Sequence, residues 1–244
     1  GRSAKGMNIV NLLELENGEK ITAMFPIQEF ADDKFLFFVT RQGIAKRIVL
    51  SDLQNIRRAG LRALNLNEDD ALVDVRLTDG EQNILIATHE GKAICFDENE
   101  VRAMGRVATG VRGIKLAEGA RVAAFNVVPA GKVAWTYEEG ENGLTSGSGA
   151  VVLTVAGDSD ALPGTENGAA KVTPLEMYPT KGRATGGVRS QRFLKGQNTL
   201  ILAWVGLYPL HASTSAGSPV ELPKPDMRRD GSGVDLASPI AFIA

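Results

Sequence analysis

The chain has 244 residues, 43% of them hydrophobic and 23% charged, with a formal net charge of −2. That is the make-up of an ordinary globular protein with room for a full core, and no apolar run nears the ~20 residues that cross a membrane. The slight acidic excess argues at first against a polyanionic partner, although binding depends on where charges sit rather than on their sum.

The first ten residues, GRSAKGMNIV, carry no secretory pattern, and Cys95 is the single cysteine, so an intrachain disulfide is excluded and a reducing cytoplasm is expected. A glycine-rich element then recurs along the chain. It reads GRSAKG ending at Gly6, RRAG ending at Gly60, GRVATG ending at Gly110, GRATGG through Gly186 and Gly187, and RRDGSG ending at Gly233. Repeats of about fifty residues divide the chain near 7–59, 60–109, 110–186, 187–232 and a partial 233–244.

Each unit shows the same succession of short β-type runs separated by Gly, Asp and Asn turns. Unit one gives MNIVNLL, KITAMFPI, KFLFFVT and IAKRIVL. Unit two gives LRALNL, ALVDVRL, NILIAT and KAICF. Unit three begins VRGIKL and RVAAFNVV, is extended by an insertion, and resumes as AVVLTVAG and AAKVTPL. Unit four gives VRSQRFL, TLILAWVG, LHASTS and SPVELP, and the fifth is VDLASPIAFIA. Residues 138–149 and 157–168 read as mobile surface loops, and SDLQNIRRA (51–59) and DENEVRAMG (97–105) can each supply one helical turn. Four-stranded units at this period predict an all-β, propeller-like arrangement of four to six blades, taken as one domain over 1–244.

Three segments carry a family resemblance: IVNLLELENGEKITAMFPI, EGKAICFDENEVRAMGRVATGVRGIKLAEG and EMYPTKGRATGGV. They resemble the C-terminal domain of the A-type subunit of bacterial type IIA topoisomerases, gyrase and topoisomerase IV. The resemblance is close over 1–128, returns around 169–196 and thins towards residue 244. It implies a β-pinwheel, a propeller-like ring whose blades exchange strands, and a function in binding and bending double-stranded DNA without reading its sequence. The partners it implies are DNA, the remainder of the A-type subunit in cis and a B-type ATPase subunit, with a nucleoid-associated location in the cytoplasm. No cofactor is implied here, because ATP and Mg are used elsewhere in the holoenzyme. The family's Q-R-R-G-G-K-G box has only degenerate relatives in this chain, GRSAKG and GRATGG, and the divergent end with the long loops (137–168) suits a topoisomerase IV-like or second gyrase-like paralogue.

The repeat sorts the charges. Acidic residues collect between the first two runs of a unit, at Glu14, Glu16, Glu19, Glu68, Asp69, Asp70 and Glu118. Basic residues collect around the fourth run and the glycine corner after it. Unit one offers Lys46, Arg47, Arg57 and Arg58, and unit two offers Lys92, Arg102, Arg106 and Arg112. Unit three offers Lys171, Lys181, Arg183 and Arg189, and unit four offers Lys224, Arg228 and Arg229. Superposed blades would turn these into a discontinuous basic belt, with small corners where backbone N–H groups approach phosphate. Lys224 aside, these cations are the expected DNA-binding residues.

No catalytic constellation emerges. GRVATGVRG lacks the GK[ST] ending and following helix of a nucleotide loop. His89 and His211 have no metal-ligand spacing around them, and Cys95 falls in an apolar alternating run as a core thiol. Trp135 and Trp204 read as core. The resemblance places the DNA-cleaving tyrosine in a separate winged-helix region, so Tyr137, Tyr178 and Tyr208 are not assigned that role. A second reading, a propeller-like protein-interaction scaffold, uses the loops at 138–168 and treats the belt as ordinary surface charge.

Overall fold

The structure is a computed structural model that describes residues 18–56, 60–140 and 145–244. Among the described residues there are seventeen strands, four short 3-10 turns and no α-helix, so no helix is long and apolar enough to cross a membrane. In chain order the strands are β1 (Phe35–Thr40), β2 (Ile44–Val49), β3 (Leu72–Thr78), β4 (Gln82–Thr88), β5 (Lys92–Asp97) and β6 (Val111–Arg112). They continue as β7 (Val122–Pro129), β8 (Thr136–Glu139), β9 (Thr145–Ser148), β10 (Ala150–Gly157), β11 (Ala169–Pro174) and β12 (Val188–Arg189). The last are β13 (Thr199–Leu207), β14 (Ala212–Ser213), β15 (Pro219–Val220), β16 (Val234–Asp235) and β17 (Phe242–Ile243).

Sequence repeat and sheet do not coincide. Three sheets have four strands, in the orders β3-β1-β2-β6, β7-β4-β5-β12 and β13-β10-β11-β16, and a fourth has the order β15-β14-β17. Each four-stranded sheet takes its central hairpin from one unit, a long strand from the next unit and a two-residue strand from the unit after that. The expected four-stranded β architecture is therefore present, with its strands exchanged between units.

Alternation along the hairpins explains how the sheets stack. In β4, Ile84 and Ile86 join Phe37, Val39, Phe96 and Phe125 between the first and second sheets. Leu85 and Ala87 point the other way and join Ala150, Val152, Leu200 and Ala203 between the second and third. β10 repeats the device, with Val151, Leu153 and Val155 packed towards Ala212 and Val220 of the fourth sheet. A strand apolar on both faces is the signature of a sheet buried on both sides.

Several expected strands correspond to something else. LRALNL (61–66) forms no strand, and KITAMFPI (20–27) forms none either. Their apolar residues, Leu61, Ala63, Leu64, Ala23, Phe25 and Ile27, instead cover the outer face of the first sheet around Leu36, Phe38 and Ile48. MNIVNLL lies outside the described residues. The insertion at 138–149 is partly β-structure, because β8 and β9 pair from Thr136↔Ser148 to Glu139↔Thr145. The 157–168 loop is anchored: Glu166 accepts from the Asp158 amide, and Asn167 Nδ2 donates to Ala237 O at 3.1 Å. The two helical turns are present as 3-10 turns at Leu50–Leu53 and Glu98–Glu100, with a third at Leu175–Met177.

A buried ion pair ties the first sheet to the second. Arg47 Nη1 lies 3.4 Å from Glu98 Oε2 and donates to Asn99 Oδ1 at 2.9 Å, while its guanidinium sits 4.4 Å from the Phe35 ring centroid. Glu98 also accepts from Thr78 Oγ1 and the Gln82 amide, so both its oxygens are occupied in the absence of solvent. Arg47→Ala would strand that carboxylate inside, and a loss of about 3–5 kcal/mol is expected in urea denaturation. Cys95 is buried, and burial pushes its thiol up to about 11. Because the thiolate is the nucleophile, iodoacetamide is expected to label Cys95 only at the rate of unfolding, and labelling in urea checks this.

Candidate nucleic-acid interface

Three glycine corners occupy the same place on successive sheets, at 105–110, 182–187 and 228–233. The equivalence is set by a close approach. A Cβ on Gly110 or Gly187 would lie 2.6 Å from the carbonyl oxygen of Ala45 or Ala93, at one position of each hairpin's second strand, and a Cβ on Gly233 would lie 2.7 Å from that of Ala169, one residue earlier in its strand. Only glycine fits there, and Gly110 and Gly187 also take φ of +108° and +72°.

After the closing glycine, each corner enters its two-residue edge strand. In VRGIK and VRSQR, Arg112 and Arg189 are exposed, the next two residues are buried, and Lys115 and Arg192 are exposed again. Backbone bonds lay these stretches along the following corner, Lys115 N donating to Thr185 O at 2.9 Å and Arg192 N to Gly231 O at 2.9 Å. Lys115 and Arg192 thus extend the basic edge. Their equivalence to each other, three residues after Arg112 and Arg189, was available in the repeat.

Arginines also join one corner to the next. Arg183 donates from Nε to Glu100 O at 2.9 Å and from Nη1 to Arg112 O at 3.0 Å. Arg229, one unit later, donates from Nε to Arg189 O at 3.0 Å and from Nη1 to Met177 O at 3.4 Å. The basic groups of consecutive units are therefore physically connected along one edge.

The structure sorts the expected belt into four groups. Lys92, Arg102, Arg106, Arg112, Lys181 and Arg189 are exposed, and their side chains have no hydrogen-bond or ion-pair partner among the described residues. Arg183, Arg229 and Arg228 are surface groups already engaged, Arg228 with Asp226 Oδ1 at 3.2 Å. Lys46, Arg47 and Lys171 are a correction, being 0%, 6% and 2% exposed and unable to meet a ligand at the surface. Both faces of their strands are covered, so the outward position that alternation gives a charged residue leads here into packed backbone. Arg57 and Arg58 lie outside the described residues. Lys224 pairs with Glu139 at 3.0 Å.

In the first two units acidic groups serve the hairpin turns, apart from Glu100, whose Oε2 would lie 3.9 Å from a Cβ on Gly182 in the second corner. Asp70 Oδ1 accepts from the Gln42 amide at the β1–β2 turn, and Glu90 Oε1 accepts from the Arg121 amide at the β4–β5 turn. The third corner breaks the pattern, since Asp226 pairs with Arg228, Asp230 acts on the same guanidinium, and Asp235 stands on the edge strand where Arg112 and Arg189 stand in the others. Positive charge is thus concentrated around the corners 105–110 and 182–187. Among the described residues no group of three His, Cys, Asp or Glu side chains is placed to hold a metal ion. His89 and His211 are exposed, Tyr178 is buried with its hydroxyl 2.7 Å from Ser190 Oγ, and Trp135 is half-buried in a ring cluster with Tyr137 and Tyr208.

Burial pushes Lys171 down to about 8, opposed by the attraction of Asp226 and Asp230 and reinforced by the smaller repulsion of Arg229 and Arg228. Above that pH the unfolded chain still holds a proton that the folded chain has released, so the Lys171 contribution to stability rises with pH from about 8 towards 10, with the raised Cys95 thiol working against it above about 9. The rise is expected to be on the order of 1 kcal/mol or more, and absent in Lys171→Met, in urea titrations across that window.

Comparison with known proteins fits this geometry. A family model described as the DNA gyrase C-terminal domain, beta-propeller, matches residues 1–28, 34–79, 82–129 and 164–201. The DNA gyrase A-type subunit of Haemophilus influenzae is 37% identical over 203 residues, 83% of this chain and 23% of that protein. Its counterpart from Escherichia coli is 40% identical over 189 residues, 78% of this chain and 18% of its own. The chain thus spans less than a quarter of the length of these relatives. The crystal structure of the C-terminal domain of DNA topoisomerase IV superposes with a TM-score of 0.76 at 24% identity, over 98% of this chain and 70% of that one. A DNA gyrase A C-terminal domain structure gives 0.70 at 19% identity, over 99% and 75%. The exchanged strands, the repeated glycine corners and the sequence match together make this chain a member of the DNA gyrase C-terminal domain family, with its β-propeller fold.

Proposed function

We propose that this chain is a single DNA-binding and DNA-bending domain of a type IIA topoisomerase of the gyrase A kind, presenting duplex DNA to a cleavage core elsewhere in the same polypeptide. The observation that carries the reading is the register pair Lys92↔Arg189, two exposed cations directly opposite each other on β5 and β12 with no acidic partner among the described residues. Like charges in that position repel. A phosphate between them turns the repulsion into attraction, and Arg112, Lys115 and Arg183 continue the same edge towards Arg106. Such contacts hold the backbone without reading bases.

Repeated along successive sheets, the contacts favour a curved duplex. Bending 20–30 bp by 40–90° costs on the order of 1–6 kcal/mol, which several released counterions can offset. ATP hydrolysis, Mg-dependent cleavage, the B-type partner and the nucleoid location belong to the assembled enzyme under this reading, and no cofactor is assigned to the chain itself. A second reading, a protein-interaction scaffold, draws on the half-exposed rings of Trp135, Tyr137 and Tyr208 beside the β8–β9 hairpin.

Fluorescence anisotropy with ~20 bp and ~150 bp duplexes across a salt series decides between them. Tighter binding of the longer duplex than its extra sites explain, with a salt slope of several ions, is the expected result. Lys92→Glu with Arg189→Glu is expected to weaken binding by at least tenfold and flatten the slope by about two. Absence of binding to either duplex at low salt would favour the scaffold.

A further inference from the structure

The three corners do not share one shape, and the difference tracks a buried residue. Lys46 spends all three ammonium donors on backbone carbonyls: Ala63 at 2.8 Å, Arg106 at 2.7 Å and Ala108 at 2.6 Å. Lys171, at the same position of its own hairpin, donates to Ser190 O at 3.3 Å, Arg229 O at 2.8 Å and Thr173 Oγ1. Ser190 and Arg229 correspond to Ala63 and Arg106 two units on. Above each lysine the corner closes the same turn, Ala108 N to Gly105 O and Gly231 N to Arg228 O, both at 3.1 Å.

The middle corner has Ile94 at that position. Its turn around Arg183 and Ala184 takes another form: Ala184 has φ of +69° and gives its amide to Gly113 O at 2.7 Å, and Thr185 N makes no bond to Gly182 O of the kind that closes the other two corners.

A trans peptide points its N–H opposite to its own carbonyl. With the carbonyls of Arg106 and Ala108 drawn inward, the amides of Val107 and Thr109 must face out, and neither has an acceptor among the described residues. In the middle corner the equivalent of the first of these amides is consumed by Gly113.

We propose that the Lys46 ammonium is a positioning group that builds an anion site, in which the Val107 and Thr109 amides and the Arg106 guanidinium receive one phosphate group. Lys171 holds the corresponding corner in the same shape, but Asp226, Asp230 and Asp235 make it a poor anion site. The role in DNA contact rests on the function proposed above; the role in shaping the corner does not.

The test pairs amide exchange by NMR in the free protein with DNA affinity. In the unaltered chain, the Ala108 and Gly231 amides are expected to be protected and the equivalent Thr185 amide not. In Lys46→Met, Ala108 should lose at least tenfold in protection while the amides of β1 and β2 keep theirs. Affinity for a ~20 bp duplex should fall roughly tenfold with its salt slope unchanged, whereas Arg106→Ala should lower the slope by about one. Lys171→Met should release Gly231 in the same way and change DNA affinity less than about threefold, a difference that general destabilisation would not produce.

Equal protection at all three corners, or an unchanged Ala108 in folded Lys46→Met, overturns the proposal. A slope lowered by one in Lys46→Met overturns it too, since Lys46 would then meet phosphate itself. If Lys46→Met does not fold, Lys171→Met and the unaltered exchange pattern decide the corner's origin. If the unaltered chain binds no DNA, the function fails, and exchange still judges the lysine.

Discussion

The arrangement depends on one contact: the backbone of each corner lies against the carbonyl of its hairpin's second strand with no side chain between them. Gly110, Gly187 and Gly233 hold the chain at that distance, and the edge strands then start in fixed register, Val111 opposite Ala45 and Val188 opposite Ala93. Everything that follows in sequence inherits the placement. Arg112 and Arg189 fall on the exposed side because the glycine sets the pleat, and Lys115 and Arg192 fall where the next corner passes.

The contact also explains how a chain with more acids than bases presents a basic edge. Corners, edge strands and the residues after them form one lateral border, and apart from Glu100 the carboxylates of the first two hairpins serve local turns at their tips. There Asp70 and Glu90 satisfy backbone amides. The border is strongest where the residue after the edge valine is arginine. It fades at Val234, where that residue is Asp235 and the neighbouring Arg228 is paired within its own corner.

The fold was legible because its period is written in glycine. The runs KFLFFVT, NILIAT, KAICF, AVVLTVAG and AAKVTPL are strands, and the alternation of Ile84 and Leu85 separates two cores without ambiguity. What the residues could not display was pairing between units, so VRGIKL and VRSQRFL looked like whole strands although only two residues of each are paired. The candidate site was legible by region and misread by residue. IAKRIV and AAKVTP present lysine in a strand whose two faces both turn out to be covered, and nothing local distinguishes such a lysine from a solvated one. Arg183 and Lys181, two residues apart, differ because one guanidinium reaches the carbonyls of Glu100 and Arg112 while the amine beside it reaches nothing.

Strand exchange also separates the unit that is repeated in the chain from the unit that melts. In ordinary solenoids each repeat touches only its nearest neighbours, and stability is close to a sum over adjacent pairs. Here the hairpin of one unit is completed by strands from the next two, so coupling extends to second neighbours. Removing a single repeat at its sequence borders would leave two sheets short of a strand, and a duplication would insert a hairpin whose edge partners are already in use. Such a domain changes size in steps that alter several sheets together, and its loss of structure on heating is correspondingly sharper than the repeat length suggests.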